Sequence, residues 1–378
     1  MHFSLTPVRR GAVALALCAA SLTALQAVAL PAASASPASS ASSGLASVSG
    51  IEDATARTVA ASLADPAWRD QVRTAALGSA QVDLASLTAR AAAPAALNSR
   101  VTAADRGILR AKGLAADAGS LLRLRLGADS MRGSLLRSGA SPLVAAAGTD
   151  DKAAAVVAYD SNGRAHRLSS RTVPNVPVYV VDIDVTKAVS AGLATVNRQF
   201  TARGLDSPAV AAPRTAGFWT TRVDSVYLND DEEPWILGDA EIFSIVSGFG
   251  LDGKVRVDTV DMPYLDDDHT TYYPNQILVN WSNYKYNLAD VVMMEDDGDT
   301  NYADLAKALA DALLTITDQG AYIPLVDAIL AAIPSSWYTN DADYVDSWYT
   351  LAQSSTGRLT GARANGWMTV SPYFVSQL

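Results

Sequence analysis

Between residues 219 and 294 apolar side chains alternate with polar ones, or run together, in five strand-length segments, each closed by a polar corner. The segments are 219–228, 240–247, 254–262, 276–281 and 288–294. In the third, Val255, Val257 and Thr259 fall on one side and Lys254, Arg256 and Asp258 on the other, the period of two that a pleated strand imposes. This part of the chain is therefore expected to form an antiparallel β-sandwich.

Strand direction also sorts the loops. If successive strands run antiparallel, the loops after the first, third and fifth leave at one end. They carry Asp230, Asp231, Glu232 and Glu233, then Asp266, Asp267 and Asp268, then Glu295, Asp296, Asp297 and Asp299. The loops at the other end hold Asp252 and Lys285. Carboxylates on converging loops are what a hard cation with six to eight oxygen ligands requires, so Ca2+ is the expected occupant, with Asp230, Asp231, Asp267, Asp296, Asp297 and Asp299 as candidate ligands. Zinc is disfavoured, because past the N-terminal apolar stretch the chain offers His166, His269 and no cysteine. The competing reading is solvation: acids at strand ends keep loops in water, and Asp299, Thr300 or Asn301 is needed to cap the helix that follows. The spacing around Asp297 is not that of an EF-hand.

A helix follows with Leu305, Leu309, Leu313 and Ile316 on one side, and another begins near Pro324. The tail is dense in aromatics, among them Trp337, Trp348, Tyr349, Trp367, Tyr373 and Phe374, which either bind sugars or complete the core.

Upstream the pattern differs. Residues 51–150 read as a helical region, opened by an Asp65–Pro66 start signal and running through the alternating leucines and arginines around Arg123 and Arg125, with the arginines at the edge of a packed helix. From Ala153 the period becomes two: Asp160-Ser161-Asn162-Gly163 is a hairpin turn, and residues 176–185 form a further, buried strand in a segment reaching to 202. Residues 203–217 read as a connector.

At the N-terminus, Arg9 and Arg10 precede an apolar stretch ending near Ala33-Ser34-Ala35, the layout of a secretory signal over residues 1–35. A Ser/Ala-rich lead-in follows over 36–50. The mature protein is expected outside the cell, with no membrane span. Cys18, the one cysteine, lies in the signal, so no disulfide would hold the mature fold, and stability must come from a core or a bound metal.

Charge is divided as sharply as pattern. Residues 1–220 carry 22 basic against 14 acidic side chains and residues 221–378 carry 7 against 25, so net charge passes from +8 to −18. Such a field excludes nucleic acid and attracts cations or basic partners, one of which is the chain's own N-terminal region, acting as a cover or a cleavable pro-segment. The tail aromatics make carbohydrate the other candidate partner class.

No nucleophile elbow, zinc-protease motif or phosphate loop is present; Gly248, Gly250 and Gly253 have the spacing of a dinucleotide fingerprint but lead into the strand 254–262 rather than a helix. The enzymatic alternative is a secreted hydrolase of glycans or phosphoesters using acids such as Asp239 and Glu241, spaced to share one strand face, with His269 as the better of two candidate bases.

Two resemblances bear on this. The layout "DDEEPWILGDAEIF … DVVMMEDDGD" over residues 219–316 is similar to C2-type calcium-binding sandwiches, which implies calcium at Asp230, Asp231, Asp296, Asp297 and Asp299; the regular aspartate spacing of the C2 third loop is missing. The run "VVAYDSNGRAHRL … VPVYVVDID … DDEEPWILGDAEIFSIVSG" resembles an uncharacterised family of secreted bacterial proteins, which implies export and a shared fold but no activity. The expected architecture is α+β: a helical N-terminal region, then an acidic β-sandwich with C-terminal helices over 219–378. The expected function is a calcium-binding or calcium-stabilised extracellular module.

Overall fold

Capping chemistry sets the first elements. In the computed structural model, which describes residues 47–90, 93–137, 141–147, 153–205, 217–230, 240–296, 298–333 and 344–376, the chain enters α1 (Val48–Ser62) through the Ser47 side chain, which accepts from the Gly50 N–H. It enters α2 (Pro66–Gly78) through Asp65, whose carboxylate accepts from the N–H groups of Ala67 and Trp68 ahead of a proline at the first helical position. Then come β1 (Gln81–Asp83), α3 (Leu84–Thr88), α4 (Leu97–Ala111), β2 (Leu122–Leu126), α5 (Arg132–Leu135), β3 (Leu143–Ala146), the hairpin β4 (Ala155–Tyr159) and β5 (Ala165–Ser169), β6 (Val178–Ile183) and the long α6 (Val185–Arg203).

The second half runs β7 (Phe218–Leu228), β8 (Ile242–Phe249), β9 (Val255–Asp261), β10 (Thr271–Tyr272), β11 (Gln276–Asn280), β12 (Leu288–Glu295), α7 (Tyr302–Leu313), α8 (Val326–Ala332), β13 (Tyr344–Ala352), β14 (Gly357–Thr360) and β15 (Gly366–Val375). All five strands read from the alternation are present as β7, β8, β9, β11 and β12, with ends shifted by no more than a few residues. The fold is α+β.

The N-terminal part is less helical than its sequence implies. Residues 122–126 are strand, because Leu-Arg-Leu-Arg-Leu has a period of two: Leu122 and Leu124 enter the core, while Arg123 pairs with Asp83 and Asp184, and Arg125 with Asp182. β2 belongs to a six-stranded sheet of order β1-β2-β6-β3-β4-β5, in which only β3 and β6 run parallel. The connector proposed over 203–217 lies mostly outside the described residues.

Two antiparallel sheets build the sandwich. One has the order β10-β7-β15-β14, with β11 also on β7; the other has the order β13-β12-β8-β9. On the second sheet Val291 pairs with Val246 and Val292 with Ile245, and alternate residues serve different cores. Val246, Val291 and Met293 join Val226 and Met368 from the facing sheet. Phe243, Ile245, Val292 and Met294 face the other way, into a large core shared with Trp68, Tyr179, Phe200, Tyr302 and Leu309. Burial on both faces explains why 291–294 reads as an unbroken apolar run.

The N-terminal helices thus share a core with the sandwich, and residues 44–378 form one compact unit. The described tail aromatics lie on strands, with Trp348 buried on β13 and Tyr349, Tyr373 and Phe374 exposed; Trp337 lies outside the described residues. No described helix is long and apolar enough to cross a membrane.

α6 and α7 meet at Gly192, where a Cβ would lie 2.4 Å from carbons of the Tyr302 ring. Gly192→Ala is expected to cost about 1–3 kcal/mol through overpacking, read as a lower midpoint in urea or thermal unfolding.

Candidate functional site

The strand ends meet as direction requires. The Met262 N–H donates to the Ile242 carbonyl at 2.9 Å and the Asp296 N–H to the Glu241 carbonyl at 3.2 Å, so β9 and β12 both finish beside the start of β8. The His269 N–H donates to the Leu228 carbonyl at 3.0 Å, which brings the 266–269 loop to the end of β7.

From this rim the candidate ligands turn to different partners. The Asp299 carboxylate accepts from the Ser49 N–H and Oγ at the start of α1, at 3.3 and 3.2 Å. Asp267 Oδ2 accepts from the Tyr272 hydroxyl at 3.3 Å, and the same hydroxyl accepts from the Asp267 N–H. The Asp230 carbonyl accepts from the Asn365 amide at 3.0 Å. Asp296 points inward. Asp231 and Asp297, with Glu232, Glu233 and Asp239, lie outside the described residues. Among the described residues no three His, Cys, Asp or Glu side chains are grouped closely enough to hold a metal ion.

The inward turn of Asp296 creates a buried charged centre. Lys112 caps the C-terminus of α4 and its carbonyl accepts from the Tyr302 N–H at 3.0 Å, while the Asn301 amide donates to the Ala111 carbonyl at 2.7 Å. Gly113 permits this approach: its φ is +64°, and a Cβ there would meet Asn301 Oδ1 at 2.5 Å. Held so, Lys112 Nζ donates to Asp296 Oδ2 at 3.0 Å, Oδ1 at 3.2 Å and the Gly298 carbonyl at 2.7 Å. The Tyr302 hydroxyl donates to Asp296 Oδ2 at 2.8 Å. Both charged side chains have 0% exposure. Burial pushes the Tyr302 hydroxyl well above its ordinary pKa, and the charges of Asp296, Glu295 and Glu241 push it further. Sequence reading missed Lys112 and Tyr302, since nothing in the spacing of a lysine near 112 and an acid near 296 marks them as partners.

The hydrolase candidates are placed as follows. Glu241 Oε1 accepts from the Thr186 hydroxyl at 2.9 Å. His269 sits in a turn with φ +56°, stacked on Tyr227, which stacks in turn on Trp367. His166 lies against Asp160 across the β4–β5 turn at 3.2 Å.

Beyond the end of β9, chain reversals build an open groove of about 700 Å³, lined by Asp261, Pro263, Tyr264, Tyr272, Tyr273, Pro274 and Gln276. The Tyr264 hydroxyl donates to Gln276 Oε1 at 2.6 Å and the Gln276 amide donates to the Asp261 carbonyl at 2.7 Å, so the wall is braced internally. Burial raises the Asp261 carboxyl pKa. Tyr273 is 72% exposed.

Residues 55–378 match the family described as "Protein of unknown function (DUF3103)". The chain belongs to this DUF3103 family. The match spans both the helical part and the sandwich, as their shared core would require. No curated protein and no solved structure matches the chain. The likeness of 219–316 to C2-type sandwiches therefore rests on sequence layout alone.

Removing one member of the buried centre strands the other. Asp296→Ala is expected to cost about 3–5 kcal/mol in chemical denaturation, and the volume-matched double change Lys112→Met with Asp296→Leu to cost less than that single change.

Proposed function

We propose that this chain is an exported binding module that takes carbohydrate in the tyrosine groove. The observation that carries this reading is the groove's chemistry. A pyranose ring offers an apolar face and a rim of hydroxyls. Tyr264, Tyr272 and Tyr273 supply aromatic surface, and Asp261 and Gln276 supply a few polar groups, the usual balance of a small-molecule site. The bracing of Tyr264 by Gln276 limits the ordering that binding would require. Export is supported by the signal-like stretch of residues 1–35.

An oligosaccharide panel screened by calorimetry should yield a ligand. Tyr273→Ala should then weaken it about fivefold, roughly 1 kcal/mol, with no change in thermal midpoint because the side chain is 72% exposed. Absence of any sugar binding would overturn the reading.

For the acidic rim the proposed ion is Ca2+, supported by the charge of residues 221–378 and by the meeting of the strand ends. Because Asp296 is buried against Lys112, the ligands would come from Asp230, Asp231, Asp267, Asp297 and Asp299. Calcium at a hundredfold excess over its dissociation constant should stabilise the fold by about 2.7 kcal/mol, seen as a rise in melting temperature that chelator reverses. An unchanged melting temperature at millimolar calcium would remove the ion from the proposal.

A further inference from the structure

We propose that Lys112 and Asp296 react with each other inside the folded protein to form an isopeptide bond between Nζ and the side-chain carbonyl carbon. The juxtaposition is that of a reactant pair. The amine nitrogen lies within 3.0 and 3.2 Å of the two carboxylate oxygens, neither side chain is exposed, and the Tyr302 hydroxyl already donates to one of those oxygens. A second Lys–Asp pair, Lys285 with Asp318, has its lysine 41% exposed and lacks this enclosure.

The step balances without a co-reactant. A proton passes from the Lys112 ammonium to an Asp296 oxygen, giving a neutral amine and a carboxylic acid. The nitrogen lone pair attacks the carbonyl carbon, and the Tyr302 hydroxyl stabilises charge developing on Oδ2. A second proton moves from nitrogen to the hydroxyl oxygen, the C–O bond breaks and water leaves, so an ammonium and a carboxylate become an amide and one water. The Gly298 carbonyl, accepting from Nζ at 2.7 Å, fixes the direction of the amine.

In water this condensation fails, because both ions are well hydrated and the reactants are separate. In the core the ions have lost their hydration, and the fold holds the reacting atoms together. The product removes two buried charges and ties the end of α4 to the end of β12.

Peptide mapping of the full-length protein decides the matter. Complete trypsin digestion of the denatured chain is expected to give residues 111–123 joined to residues 286–307, lighter than the two together by one water, because trypsin does not cut after an acylated lysine. Fragmentation should place the link at Lys112 and Asp296. In Lys112→Arg the joined species should vanish and 286–307 should appear alone. If the unaltered protein yields free 113–123 and free 286–307, the pair is an ion pair only and the proposal is overturned. That wild-type map decides even if the variant fails to fold.

Discussion

The architecture turns on one enclosed contact, the Lys112 ammonium against the Asp296 carboxylate. Burying a lone ammonium or a lone carboxylate is strongly unfavourable, so each is admitted to the interior only by the other, with the Gly298 carbonyl and the Tyr302 hydroxyl completing the set. This requirement fixes the geometry around it. α4 must end where its last turn meets the start of α7, residue 113 must be glycine, and the loop after β12 must fold inward rather than toward solvent.

The division of charge along the sequence finds its reason at the same boundary. Lys112 with Asp296, Arg203 with Asp311, Ser49 with Asp299 and Thr186 with Glu241 all join the N-terminal part to the acidic part. Part of the acidic character is therefore answered within the molecule. The charge left at the strand ends is the portion on which a cation or a basic partner could act.

How much of this was legible depended on whether the signal was local. The five sandwich strands could be read because alternation at Val255, Val257 and Thr259 is a property of neighbours, and the hairpin at Asp160–Gly163 because turn chemistry is local. At 122–126 the local text is ambiguous, because arginines between leucines suit a helix edge as readily as the strand face they occupy. α6 was not anticipated, its Ala- and Val-rich text carrying no strong helical stripe. The tail aromatics signalled burial without saying that β13 and β15 would pair with β12 and β7. The rim was legible from strand direction, but the side-chain destinations were not: Asp296 finds a lysine 184 residues away, and sequence spacing holds no information on so distant a partner. The groove was hidden although its residues lie within 261–276, because chain reversals after β9, and no regular spacing, bring its tyrosines together.

The sheet β13-β12-β8-β9 is a party wall, with a core on each side drawing on alternate residues of the same strands. Neither compartment can be flooded without stripping apolar cover from that wall, so the helical and sandwich portions are bound to lose structure together. Backbone amides in β8 and β12 would then exchange with solvent only through the rarest, whole-molecule openings.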